Sequence, residues 1–109
     1  MTVKDIIPNI DEIPLLSHEE ELGLVERIQS GDKEAIESFK KHNLRFVAAV
    51  AKQYPNRGLT IDALLEAGQE GLIKAAMKYD KSNNLRVMAY AVWWIRQSIL
   101  QALAEKEQS

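Results

Sequence analysis

In this 109-residue chain the apolar side chains recur every three or four positions, and no segment sustains a two-residue alternation. The first spacing lines up one face of a helix; the second is what a half-buried strand requires. The chain is therefore expected to be all-α. Its apolar stripe is wider than a coiled-coil seam, which favours a compact bundle of about five helices. Its length suits one domain around one core.

Local signals divide the chain. Pro8 and Pro14 interrupt residues 1–16, which read as a weakly ordered N-terminal segment. Ser17 opens a helix, with Glu20 at the capping-box spacing and Glu19, Glu20 and Glu21 suited to the positive end of the helix dipole. Leu22, Leu24, Val25 and Ile28 form its inward stripe, and Gly31 stops it. Asp32 caps a second helix carrying Ala35, Ile36 and Phe39, and a bend is expected around His42-Asn43. An apolar helix then runs from Leu44 through Phe46, Val47, Val50 and Ala51 to Tyr54, ended by the turn Pro55-Asn56-Arg57-Gly58. Thr60 caps a helix reaching about Tyr79, with Ile61, Leu64, Leu65, Leu72, Ile73 and Ala76 as core candidates. Within it Gly68 and Gly71 each cost about 1 kcal/mol relative to Ala, a cost that close packing against a neighbour would explain. After the polar turn Asp80-Lys81-Ser82-Asn83-Asn84, the last helix is expected from about Val87 to Glu105, with Ala91, Ile95, Ile99 and Ala102 inward.

Charge is unevenly distributed. Residues 1–37 hold ten acids and three bases, whereas residues 38–109 hold eleven bases and six acids, although the whole carries only −2. A basic working part with an acidic segment beside it is the arrangement this predicts. With no Cys there is neither a disulfide nor a thiolate metal site, and a reducing cytoplasm is the simplest compartment. No apolar run approaches a membrane span, and the start of the chain lacks the pattern of a secretory signal. His18 and His42 show no metal-ligand spacing, the glycines form no phosphate-cradling loop, and the serines sit at caps and turns. Neither an enzyme nor a cofactor-binding protein is expected.

The run Tyr90-Ala91-Val92-Trp93-Trp94-Ile95-Arg96-Gln97 carries the chemistry. Adjacent tryptophans on a helix point about 100° apart, so one buried face does not easily hold both. At least one of them is expected to show an edge or face to solvent or a partner. With Tyr90 and Gln97 one turn to either side, the stripe offers flat rings, an amide and a nearby cation. Those groups suit stacking on unpaired bases and reading their edges. Taken alone, the same aromatics would also serve to cap a small core.

Five motifs then occur together: Asn43-Leu44-Arg45-Phe46-Val47, Ala51-Lys52-Gln53-Tyr54, Asn56-Arg57-Gly58-Leu59, Gly71-Leu72-Ile73-Lys74-Ala75-Ala76, and Tyr90 to Gln97. In order and spacing they resemble the primary (sigma-70) family of bacterial RNA polymerase sigma factors. The resemblance covers that family's regions 1.2 to 2.4, from about Ile13 to Ala104. It implies residues 17–42 as a region 1.2-like part and residues 43–109 as a region 2-like part. It also implies a role in bacterial transcription initiation in the cytoplasm. The implied partners are the clamp helices of the polymerase largest subunit and the single-stranded minus-ten element of promoter DNA; whether an acidic partner such as an anti-sigma protein covers the basic face stays open.

The resemblance places Lys78, Tyr79, Arg86, Tyr90 and Trp93 along the single-strand path. Trp93 and Trp94 fall at the upstream edge of the bubble, with Trp93 expected to be the more exposed and Trp94 the more buried, Gln97 at the last duplex pair, and Arg45, Lys52 and Arg57 at further basic positions. Leu64, Leu65, Glu66, Gln69, Glu70 and Ile73 fall on the polymerase-binding helix. Two departures stand out. Where the family usually shows Asp-Leu-Ile-x-Glu-Gly, this chain reads Ala63-Leu64-Leu65-Glu66-Ala67-Gly68. Two usual aromatics before Tyr90 are Leu85 and Val87. The chain also stops at Ser109, short of the later promoter-reading domains, as an excised domain or a short relative would. A second reading therefore stays open: a helical protein-interaction domain with the sigma fold that has lost strand capture or polymerase docking.

Overall fold

The computed structural model describes residues 2–82 and 84–108, so Asn83 of the expected polar turn lies outside the described residues. Six α-helices and one 3-10 turn follow one another, with no strand among the described residues. The helix starts are set by short polar side chains. The Ser17 hydroxyl accepts from the Glu20 N–H at 3.1 Å while the Glu20 carboxylate accepts from the Ser17 N–H at 2.8 Å. This closed box opens α2, His18–Gln29. Asp32 accepts from the Glu34 and Ala35 N–H groups and opens α3, Lys33–His42. Asn43 ends α3 and precedes α4, Leu44–Ala51. Its buried amide donates to the Phe39 carbonyl at 3.0 Å, which satisfies a carbonyl at the helix end where the chain bends. Thr60 caps α5, Ile61–Lys78, and α6 runs over Val87–Gln108.

Helices α5 and α6 are antiparallel and in close contact. A Cβ on Gly71 would collide with the Trp94 carbonyl oxygen and lie 2.8 Å from the Ile95 Cα. One on Gly68 would lie 2.7 Å from Val47 Cγ1. The two glycines therefore let α6 rest on the backbone of α5, which offsets their helix-propensity cost. Around this contact Phe39, Val47, Leu72, Ile95 and Ile99 are fully buried, each contributing about 1.5–3 kcal/mol by leaving water. At the far end of α5, Gln29 Nε2 donates to the Ala76 and Tyr79 carbonyls, at 2.9 and 2.8 Å, and so ties α2 to that helix terminus.

Several expectations change. Residues 1–16, read as weakly ordered, fold as α1, Val3–Ile6, followed by a 3-10 turn over Ile10–Glu12. Thr2 and Asp5 form a second capping box, and Ile7 and Ile10 bury against Ala48 in a small separate cluster. Pro8 breaks the helix without preventing the segment from packing. Helix α4 ends at Ala51 rather than Tyr54. Phe46, expected inside, lies on the surface, and Leu64, a candidate partner contact, has no accessible surface.

Candidate nucleic-acid interface

Tyr90, Trp93, Trp94 and Gln97 are spaced so that α6 presents them on one side. Trp93 is 66 % exposed, while Trp94 is half-buried, packed against the core. The order of exposure is the one expected from the family resemblance. The rings beneath Trp93 form a chain: Tyr79 meets Tyr90 edge-on at 5.8 Å between centroids, and Tyr90 meets Trp94 at 6.2 Å and 57°. Edge and tilted contacts at such distances hold aromatics in fixed orientation. Trp93 is thus a free ring beside a fixed aromatic base, with Gln97 exposed one turn further along.

Tyr79 belongs to that base rather than to an open path. It is 7 % exposed, and its hydroxyl donates to the Leu85 carbonyl at 2.6 Å, which closes the connection between α5 and α6. A strand would meet Tyr79 only after that connection moved.

The candidate cations do not converge. Arg86 lies about 10 Å along α6 from Trp93 at 1.5 Å per residue, and faces Glu21 of α2 at 3.6 Å. Arg57 pairs at 2.8 Å with Glu107, about 20 Å from Trp93 in the opposite direction. Arg45 donates to the Ile10 carbonyl at 2.9 Å and reaches Asp11 at 4.0 Å, so part of its function is to hold the N-terminal segment. Lys52 and Lys78 are exposed. Arg86 and Lys78 flank the aromatic base, whereas Arg57 sits at the opposite end of the helix.

Two features escaped the sequence reading. Glu21, whose sequence position suits the helix dipole, is only 7 % exposed. The signal was present: Glu21 shares the spacing of Leu24, Val25 and Ile28, the buried stripe of α2. Burial raises its carboxyl above the ordinary glutamate value, partly opposed by the positive charges of Arg86 and His18. Glu21 also borders a cleft of about 400 Å³ whose walls include Asn43, Arg45, Phe46, Leu16 and Met88. The cleft brings α2, α3, α4 and α6 to one place, and no local motif reports it.

On α5 the candidate partner residues divide. Leu64 is core. Leu65, Gln69 and Ile73 are half-buried, and Glu66 and Glu70 are exposed. Asp62, Glu66, Glu70 and Ile73 thus make an outward stripe of acids with an apolar edge. Ala67 is buried, while Ala63 retains some surface. Among the described residues no group of His, Asp or Glu is placed to hold a metal ion, and no helix is long and apolar enough to cross a membrane.

Residues 39–108 match the family described as Sigma-70 region 2. The chain is 41 % identical over 104 residues to the RNA polymerase sigma factor SigA of Clostridium acetobutylicum. It is 40 % identical over 104 residues to the protein of the same name from a Bacillus species. Each match covers 95 % of this chain but 28 % of the relative, so the chain spans little more than a quarter of the length of these relatives. The matched segment contains the Asn43 to Val47 motif, helix α5 and the whole aromatic run. The chain therefore belongs to the sigma-70 region 2 family.

Proposed function

We propose that this domain acts in bacterial transcription initiation in the cytoplasm, as the non-enzymatic part of a sigma factor that docks on RNA polymerase and captures the exposed non-template strand of the promoter minus-ten element. The observation that carries the reading is Trp93. A large ring that is 66 % exposed on a rigid helix, in a chain with two Trp, is poorly explained by packing. It is well suited to stacking an unpaired base.

Energetics limit what the domain does alone. Opening a duplex step costs about 1.4 kcal/mol, and stacking a base on an aromatic returns about 1–3 kcal/mol. One free indole, with Tyr90 partly accessible, offsets a step or two and not a whole bubble. Isolated domain is thus expected to bind single-stranded minus-ten DNA and leave duplex closed, with polymerase supplying the remaining free energy. Docking would use the clamp helices of the largest subunit against the outer stripe of α5, around Glu66, Glu70 and Ile73, with Leu65 and Gln69 at its edge.

The test is intrinsic fluorescence at low salt. Single-stranded minus-ten DNA should quench Trp emission, matching duplex should not, and Trp93→Ala should remove the response while leaving the melting temperature nearly unchanged. Folded protein that shows no quenching would exclude strand capture.

The pairing of Arg45, Arg57 and Arg86 with protein acids favours the second reading, a protein-interaction domain with the sigma fold. A pull-down with the polymerase clamp-helix fragment separates the two. Ala63→Asp is the informative variant, because Ala67 is buried and Ala63 is not. If the unaltered domain binds as strongly as the variant, the alanine at this position does not impair docking.

A further inference from the structure

The connection between α5 and α6 carries two cations, Lys81 and Arg86, and both face acids of α2: Lys81 reaches Glu26 at 3.1 Å and Arg86 reaches Glu21 at 3.6 Å. These contacts link residues 55 and 65 positions apart, so they are made by the tertiary fold and not by helix neighbours. Asp80, the remaining charge described in the connection, turns inward on its own segment by accepting from the Ser82 N–H and hydroxyl, at 3.0 and 2.8 Å.

From this arrangement we infer that α2 is a built-in countercharge to the strand-binding face: Glu21 and Glu26 occupy Arg86 and Lys81 as phosphates of a bound strand would, and strand capture must displace them. This rests on the strand-capture reading above. The two acids differ in strength of hold. Glu26 is exposed, and its pair is loosened by water and salt. Glu21 is nearly buried, so losing Arg86 to a phosphate leaves a poorly solvated carboxylate behind. Arg86 is consequently the costlier cation to recruit, and Glu21 sets the threshold for the face.

The consequence is a sign. If Glu21 competes with the strand, removing its charge tightens binding. If Glu21 instead positions Arg86 for a phosphate, or touches a base in the adjoining cleft, removing the charge weakens binding. Salt dependence adds a readout that packing alone would not move. A cation freed from a protein acid can release counterions on binding, and each such contact steepens the slope of log affinity against log salt by about 0.7 for single strands.

The experiment measures binding of fluorescent single-stranded minus-ten DNA to the whole chain by anisotropy across a salt series. It compares the unaltered protein, Glu21→Gln, Glu26→Gln, Arg86→Ala, Glu21→Gln/Arg86→Ala and Trp93→Ala. Glu21→Gln should bind roughly two- to fivefold more tightly at moderate salt, a range matching the loss of one ion pair, with a steeper salt slope. Glu26→Gln should show the same direction with a smaller change. Arg86→Ala should cost more in the Glu21→Gln background than alone. Binding that depends on Trp93 but is unchanged or weakened by Glu21→Gln overturns the inference and leaves strand capture standing. Binding that is absent, or indifferent to Trp93→Ala, overturns both.

Discussion

The α5–α6 pair and the N-terminal segment are held in place by different physics. The pair meets backbone to backbone at Gly71, inside the main core, where no side chain intervenes to adjust. The segment from α1 through the 3-10 turn buries Ile7 and Ile10 against Ala48, with Val3, Ile6, Ile13, Leu44 and Leu65 partly buried around them, and is tied further by Arg45 on the Ile10 carbonyl, while the Thr2–Asp5 box and Lys4–Asp11 at 3.3 Å lie within it. Steric contact in a dense core fixes position to a fraction of an ångström. Exposed ion pairs and a four-residue helix do not. The proposed strand-binding ring stands on the steric pair, whereas the acids that face its cations stand on α2, beyond that pair. Helix α2 packs Leu24, Val25 and Ile28 into that same main core, so the countercharge is held with the reading surface and the N-terminal segment is the yielding part.

The largest expected effect tests the rigid side. Gly71→Val places branched carbon against the Trp94 carbonyl and the Ile95 Cα, neither of which can rotate away. It should cost more than roughly 3 kcal/mol, beyond ordinary overpacking, and a cooperative thermal transition should be lost or strongly lowered. A variant that melts like the unaltered protein would mean the helices slide freely and the steric account is wrong.

A matched pair of truncations sharpens the contrast. Ile95→Ala, in the main core, should lower stability by roughly 2–5 kcal/mol. Ile10→Ala, in the satellite cluster, should lower the global transition much less and instead raise amide exchange selectively over residues 2–13. Equal losses in the two variants would make the chain one cooperative unit and dissolve the distinction.

What the sequence disclosed follows the range of each interaction. Caps act over three or four residues, so Ser17, Asp32 and Thr60 marked three helix starts correctly. The turn after Tyr54 and the all-α class were legible for the same reason. Adjacent indoles on a helix predicted that one ring would show surface, and the resemblance pointed to Trp93. Contacts between distant segments were not legible. Pro8 and Pro14 concealed the packing of Ile7 and Ile10, because that packing depends on Ala48 in another helix. Leu64 and Tyr79 carry the residue types of the proposed sites, yet neighbours from other helices cover them. Glu21 looked like one of three dipole acids, and only its register on the buried stripe distinguished it.

Ser17→Ala probes the start of α2, outside the steric helix pair. Loss of the hydroxyl leaves the Glu20 N–H without its cap and should cost about 1 kcal/mol. Hydrogen exchange should show the loss concentrated in the first turn of α2. A uniform drop across α5 and α6 would instead place the first turn of α2 within the rigid unit.

The smallest effect concerns proton binding, and there the two kinds of acid on α2 act with opposite sign. Hydrogen bonds from the Ser17 backbone and side chain hold the Glu20 carboxyl below its ordinary value. The stability it lends is present above that ordinary value and is lost as pH falls through the lowered one. Burial lifts the Glu21 carboxyl, against the opposing pull of Arg86 and His18. Its folded form binds a proton more readily than its unfolded form, so its contribution is fullest at acid pH and is lost as pH rises through the raised value. Glu21→Gln should therefore be at least as stable as the unaltered protein at neutral pH. Its advantage should shrink as pH falls through the glutamate range, as measured by paired thermal melts. A Gln variant that is less stable at neutral pH would show that attraction to Arg86 outweighs desolvation, and that Glu21 stabilises the fold. If the variant is as stable or more so, the negative charge at Glu21 is carried at a cost to folding. A countercharge to Arg86 is then the physical use that the surrounding geometry offers for it.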